Sequence, residues 1–165
     1  MKYIKITYPD INNGLGCRCT LWISGCTHHC KDCHNKFSWD FNVGKIFTDD
    51  DKNKLINLLK KDYIKGLTLS GGDPLDSYYD VLELIKFVKD MIPKKDIWLY
   101  TGYTMDEIIN SEKKEILYYI DVLVDGPFDI NRRNLSLKFR GSENQIIWEK
   151  DENKKWFKSK LNEVK

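Results

Sequence analysis

No apolar run in this sequence approaches the roughly 18 residues that a transmembrane helix needs. The opening residues, Met1-Lys2-Tyr3-Ile4-Lys5, lack the apolar core of a secretory signal, and the expectation is a soluble, cytoplasmic protein. An excess of one charge is also lacking. Lys and Arg number 27 against 25 Asp and Glu, interspersed, and a net charge of +2 gives no electrostatic case for nucleic acid or a membrane surface. There is no internal repeat, low-complexity tract or domain-scale linker, so the expected organisation is one domain, 1–165. A chain of that length buries on the order of 70% of its unfolded surface and needs no covalent staple. Cysteine is scarce, and three of the five lie within one short loop. With no secretory leader in view, such a cluster points to metal or redox chemistry rather than to a disulfide framework.

That loop is Gly25-Cys26-Thr27-His28-His29-Cys30-Lys31-Asp32-Cys33-His34-Asn35. Its cysteines are spaced so that one turn of chain can wrap three thiolates around a single inorganic centre. A 4Fe-4S cluster usually takes four cysteines, so three imply an iron with one position open to a small molecule. The same thiolates with His28, His29 or His34 would make a closed structural zinc site. On the loop alone both readings stand. Cys17 and Cys19, two apart in an extended segment, fit small buried hydrophobes better than a second site.

The rest of the chain alternates strands and helices. Tyr3–Tyr8 reads as a first strand stopped by Pro9, and Cys17–Ser24 as a strand running directly into the cysteine loop. Lys36–Asp40 is expected to pack over the cluster. Thr48 reads as the N-cap of a helix to about Asp62, closed by Gly66. Leu67-Thr68-Leu69-Ser70-Gly71-Gly72-Asp73-Pro74-Leu75 is an apolar strand ending in paired glycines and a carboxylate, ahead of a helix from about Ser77 to Met91. Glycines there let main-chain groups lie against a ligand. Asp96–Thr101 is a strand followed by Gly102, with Thr104 capping a short helix, and Ile120–Val124 is a strand ending in Asp125 and Gly126. Ile146–Trp148 is the last short strand, and no chemistry is assigned to Lys150–Lys165. Strands followed by loops bearing Cys, Gly, Thr or Asp, with helices between, describe βα units whose loops converge on one rim. The fold class is therefore α/β with a mostly parallel sheet.

These motifs together carry a resemblance. The three-cysteine spacing is similar to that of the radical S-adenosylmethionine (SAM) enzymes, and Gly71-Gly72-Asp73 resembles their Gly-Gly-Glu motif. Val124-Asp125-Gly126-Pro127-Phe128 and Arg140-Gly141-Ser142-x-Asn144-Gln145 extend it to the glycyl radical enzyme activases, on the side of those serving the anaerobic ribonucleoside-triphosphate reductase. The resemblance implies a curved, incomplete (βα) barrel of radical SAM type, since a full eight-unit barrel needs about 250 residues. It implies that Cys26, Cys30 and Cys33 hold a 4Fe-4S cluster whose open iron chelates SAM. Asp32, Cys33, His34, Ser70, Gly71, Gly72 and Asp73 would supply neighbouring contacts, with Thr101, Gly102 and Asp125 as further candidates. A flavodoxin- or ferredoxin-type donor would reduce the cluster, SAM would break to methionine and a 5′-deoxyadenosyl radical, and the radical would take hydrogen from a glycine of the reductase. Arg132, Arg133 and Arg140 are a candidate docking surface. Two positions depart from the pattern: Asp32 replaces the aromatic residue often found before the third cysteine, and Asp73 replaces Glu. The pyruvate formate-lyase activase is similar around Cys33-His34-Asn35 and Trp39-Asp40. A radical SAM enzyme acting on a small molecule, like the compact deazaguanine synthases, and a zinc-stabilised binding module without catalysis are the other readings.

Overall fold

Near-continuous apolar runs bury the central strands on both faces. Within residues 1–163, which the computed structural model describes, the strands are β1 (Lys2–Asp10), β2 (Arg18–Ile23), β3 (Lys45–Ile46), β4 (Gly66–Gly71), β5 (Asp96–Tyr100), β6 (Val122–Asp125), β7 (Ile146–Lys150) and β8 (Trp156–Lys158). They form one sheet in the order β3-β1-β2-β4-β5-β6-β7-β8, which is not closed. Parallel pairing is confined to β2-β4-β5-β6, and the four remaining pairings are antiparallel. The sheet is thus mixed rather than mostly parallel. Helical crossovers join only the strands β2, β4, β5 and β6, and the flanking strands pair antiparallel with their neighbours.

Those crossovers are α1 (Asp49–Leu59), α2 (Tyr78–Met91) and α3 (Met105–Ile109). Thr48 and Asp51 close a capping box on α1, and Thr104 and Glu107 close one on α3. Leu55, Leu59, Val81, Ile85 and Ile108 from the helices pack on Cys19, Leu21, Ile23, Leu67, Leu69, Ile97, Leu99 and Leu123 of the parallel strands. Each such side chain contributes about 1.5–3 kcal/mol on full burial. The opposite face carries Trp98, Val122, Val124 and Ile147 in a smaller cluster. Near it the buried Arg18 reaches Thr68 at 2.7 Å, the Leu67 carbonyl at 2.9 Å and Asp96 at 2.5 Å, and lies over the Trp98 ring.

Four local readings change. β1 runs through Pro9 because a register shift between Thr7 and Asp10 leaves the proline where no ladder N–H is needed. Gly66 does not close α1; it begins β4, where an added Cβ would run into the Asp96 carbonyl. The two-residue β3 and the strand β8 escape the sequence pattern, β8 because Trp156–Lys158 is flanked by charge and half exposed. Val164 and Lys165 of the final segment lie outside the described residues.

Candidate metal centre

β2 ends at Ile23, and hydrogen bonds fix the chain immediately beyond it. The Gly25 amide donates to the Ser38 carbonyl at 2.7 Å, the Cys26 amide to the Trp39 carbonyl at 3.1 Å, and the Asp73 amide to the Gly25 carbonyl at 2.7 Å. Segment 36–39 therefore braces the loop from behind. It does not cover the loop as expected: Phe37 is 67% exposed, and the Trp39 ring stacks on His29 at 4.5 Å. His29 and Asp32 take positive φ, 49° and 56°, and the Cys33 amide donates back to the Cys30 carbonyl. Two left-handed residues in eight curl the loop into a cup.

Cys26, Cys30 and Cys33 are half-buried free thiols on one cleft. Its other walls are strand ends: Gly72 and Asp73 after β4, Tyr100, Thr101 and Gly102 at β5, and Gly126 and Phe128 after β6. The rim expected from the repeated βα units is present. Burial pushes the Cys26 thiol up to about 11 and raises that of Cys30.

Asp73 is the joint of this rim. It is 1% exposed, and its carboxylate accepts from the Thr101 hydroxyl at 2.9 Å, the Gly102 amide at 2.8 Å and the Leu75 amide at 2.9 Å, with His28 Nε2 at 2.7 Å. The hydrogen bond to Asp73 raises the His28 pKa. Gly102 has no room for a Cβ because the His28 ring lies against it. Beside the joint, Asp76 accepts from the Tyr103 hydroxyl at 2.6 Å and the Thr27 amide at 2.8 Å. His28, Asp73 and Asp76 present ligand atoms within 4.8 Å of one another, but these hydrogen bonds already satisfy their oxygens.

The remaining predicted residues divide. Asp125 is buried with its carboxylate accepting from the Met105 and Ile146 amides, so it ties β6 to α3 and β7 and leaves Gly126 facing the cleft. Thr101 lines the cleft, but its hydroxyl donates to Asp73 and accepts from the Tyr103 amide. Asp32 is exposed and outside the cleft. His34 leans on Phe128 at 5.4 Å and, with Gly71, opens onto a neighbouring cavity of about 290 Å³ that also touches Trp22 and Phe37. Ser70 lies one residue below that mouth on β4. Arg140 is not a free docking group, because its guanidinium donates to the Gln145 and Asn162 carbonyls; Arg132 and Arg133 are exposed. Phe128 and Gln145 line the cleft without having been singled out, though both lie inside motifs whose pattern was legible. Cys19 is fully buried and Cys17 packs against the same core, as expected of small hydrophobes.

Among the described residues, no three of the loop's sulfurs and histidines gather within 4.8 Å of one another. Zinc-thiolate bonds of about 2.3 Å would hold the ligands of one tetrahedral ion under about 4 Å apart. Three thiols facing one cleft, with His28 turned to Asp73 and His29 to Trp39, fit a group larger than a single ion. This defines an iron-sulfur protein of α/β fold, and residues 12–148 match the family described as a 4Fe-4S single cluster domain. The chain is 48% identical over 151 residues to the anaerobic ribonucleoside-triphosphate reductase-activating protein of Haemophilus influenzae, covering 89% of this chain and 97% of the relative. The protein of that name from Vibrio cholerae is 48% identical over the same shares, and that of Enterobacteria phage T4 is 41% identical over 90% of this chain and 94% of its own. The chain belongs to the family of anaerobic ribonucleoside-triphosphate reductase-activating proteins.

Proposed function

We propose that this protein is a radical SAM activase that installs a glycyl radical on the anaerobic ribonucleoside-triphosphate reductase. The observation that carries the reading is the cleft itself, where three thiols from one loop face the ends of β4, β5 and β6, and where His28, on the same cleft, is paired with Asp73. When bound, a 4Fe-4S cluster supplies the electron that splits SAM into methionine and a 5′-deoxyadenosyl radical able to take hydrogen from a reductase glycine. Cys26, Cys30 and Cys33 hold that cluster. The amides of Gly72 and Asp73 are committed to the Ile23 and Gly25 carbonyls, so the Gly71-Gly72 turn offers a ligand its own carbonyl oxygens, acceptors suited to the SAM ammonium. Asp73, Thr101 and Asp125 serve by fixing the strand ends, because their polar atoms are already paired. Asp32, outside the cleft, and His34, on the neighbouring cavity, are assigned SAM contacts on the resemblance alone. The open sheet, a partial barrel lacking further βα units, leaves the mouth accessible to a loop of another protein.

The protein acts as a single domain in the cytoplasm, supplied with electrons by a flavodoxin or ferredoxin. No helix among the described residues is long and apolar enough to cross a membrane. Anaerobic reconstitution with iron and sulfide tests the reading. The expected product is a brown protein with about four irons per chain that, once reduced, releases 5′-deoxyadenosine and gives a glycyl radical signal on mixing with the reductase. A colourless protein holding one zinc ends the proposal, and SAM cleavage without any radical on the reductase ends the choice of partner.

A further inference from the structure

Two carboxylates join the cysteine loop to the rim. Asp73 and Asp76 sit on one short helical turn, Pro74–Ser77, which Asp73 caps, and the Asp76 amide donates to the Asp73 carbonyl at 3.0 Å. Each carboxylate takes partners from the loop and from the turn after β5. Asp73 holds His28 Nε2 at 2.7 Å and the Gly102 amide at 2.8 Å. Asp76 accepts from the Thr27 amide and hydroxyl, at 2.8 and 3.0 Å, and from the Tyr103 hydroxyl at 2.6 Å. The Tyr103 ring meets the His28 ring edge-on with centroids 4.5 Å apart, so the two halves of this clamp also touch each other.

The clamp acts where movement of the loop would matter. Thr27 and His28 lie between Cys26 and Cys30, two of the three thiols on the cleft. Among the described residues, these two supply the hydrogen bonds that run from the thiol-bearing segment, 26–33, to the rim. Otherwise the loop is tied at its root, where the Gly25 carbonyl accepts from the Asp73 amide, and from behind, where the Cys26 amide donates to the Trp39 carbonyl. Those ties leave the cup free to tilt, and the clamp does not. Thr27, Asp76 and Tyr103 do not line the cleft, so they act on a bound group only through what they hold in place.

We infer that Thr27, His28, Asp76 and Tyr103 are positioning residues that lock the cysteine loop at a fixed height above the Gly71-Gly72 turn, so that one molecule of SAM meets the cluster and the rim at once. The inference rests on the proposed function, in which SAM spans the two. A ligand gripped at two places binds tightly when both are already set, and loses affinity when binding must itself order one of them. Three thiolates can take up iron whether or not the loop is clamped, so iron loading and SAM affinity separate.

The test compares His28→Leu, His28→Gln and Tyr103→Phe with wild type. Leucine and glutamine are both uncharged, and of the two only glutamine can donate to Asp73; their difference therefore reports the hydrogen bond and not a charge on the ring. Tyr103→Phe removes the hydroxyl from Asp76 and adds no charge. After anaerobic reconstitution, SAM is titrated calorimetrically into the oxidised protein, which has no electron to split it, and amide hydrogen exchange over 26–35 is followed in the iron-free protein. All three variants are expected to load iron as wild type does. His28→Leu and Tyr103→Phe should bind SAM on the order of tenfold more weakly, the worth of one hydrogen bond to a charged group, and exchange faster in the loop, while His28→Gln stays close to wild type in both. Should His28→Leu not fold, Tyr103→Phe decides the matter. Wild-type SAM affinity in His28→Leu and Tyr103→Phe overturns the inference and leaves the proposed function standing. Equal weakening in His28→Leu and His28→Gln also overturns it, because the bulk of the ring rather than its hydrogen bond would then matter. So does a natively folded variant that takes up no iron, because the clamp would then serve assembly. Wild-type protein that loads iron but binds no SAM ends the proposed function and the inference with it.

Discussion

At the scale of single residues, Asp73 decides how the rim is built, and its role separates from the chemistry of any bound group. Four donors converge on its two buried oxygens. Asparagine in its place turns an N–H toward at least one of them, and a buried donor left unpaired costs about 1–3 kcal/mol. Asp73→Asn is therefore expected to lose about 2 kcal/mol in urea unfolding of the iron-free protein; a change within about 0.5 kcal/mol would contradict the joint. The cysteines sort differently. Serine at 26, 30 or 33 should abolish the brown colour after reconstitution and serine at 17 or 19 should keep it, with iron analysis as the check. The three loop cysteines were legible because their geometry is set within eight positions of chain. The inward turn of Asp73 was not, since His28 and Thr101 lie 45 and 28 positions away and only the parallel registers of β2 with β4 and of β4 with β5 bring them together.

Helix starts were legible in the sequence because caps are local, whereas strand edges depend on partners elsewhere. Thr48 Oγ1 accepts from the Asp51 amide at 3.2 Å, and the Asp51 carboxylate accepts from the Thr48 amide at 2.9 Å. Thr48→Ala is expected to cost about 1 kcal/mol in denaturant unfolding. The Thr48 amide holds the Asp51 carboxyl below the ordinary aspartate range. A carboxyl depressed by folding stabilises the fold above its unfolded value, near pH 3.9, and that contribution is lost as pH falls through the lower folded value. The stability gap between wild type and Asp51→Asn should accordingly narrow as pH is lowered from about 6 toward 3, and a gap that stays constant would remove the carboxylate from the box. Gly66 shows where such local reading stops. Its glycine signal is the same at a helix end and at a crowded strand start, and only the contact with Asp96 across the sheet distinguishes them.

For the molecule as a whole, the parallel core β2-β4-β5-β6 brings four chain segments to one rim, while β1, β3, β7 and β8 complete the sheet on either side. Only one of those four segments carries the thiols. The strand-end turns at 72–73, 101–102 and 126–128 line the cleft without supplying a sulfur, and this asymmetry gives a test by amide hydrogen exchange. A metal held by the cysteine loop alone would slow exchange in the loop and leave those turns unchanged. A cluster with SAM on its free corner has to lie against them, and ligand binding protects whatever it orders. Comparing iron-free, reconstituted and reconstituted-plus-SAM protein under anaerobic conditions should give protection first in the loop and then at 72–73, 101–102 and 126–128 when SAM is added. Helix α2, none of whose residues line the cleft, serves as the internal standard. Protection that stays within the loop after SAM is added would mean that the rim takes no part in holding it, and the shared cleft would lose its functional meaning.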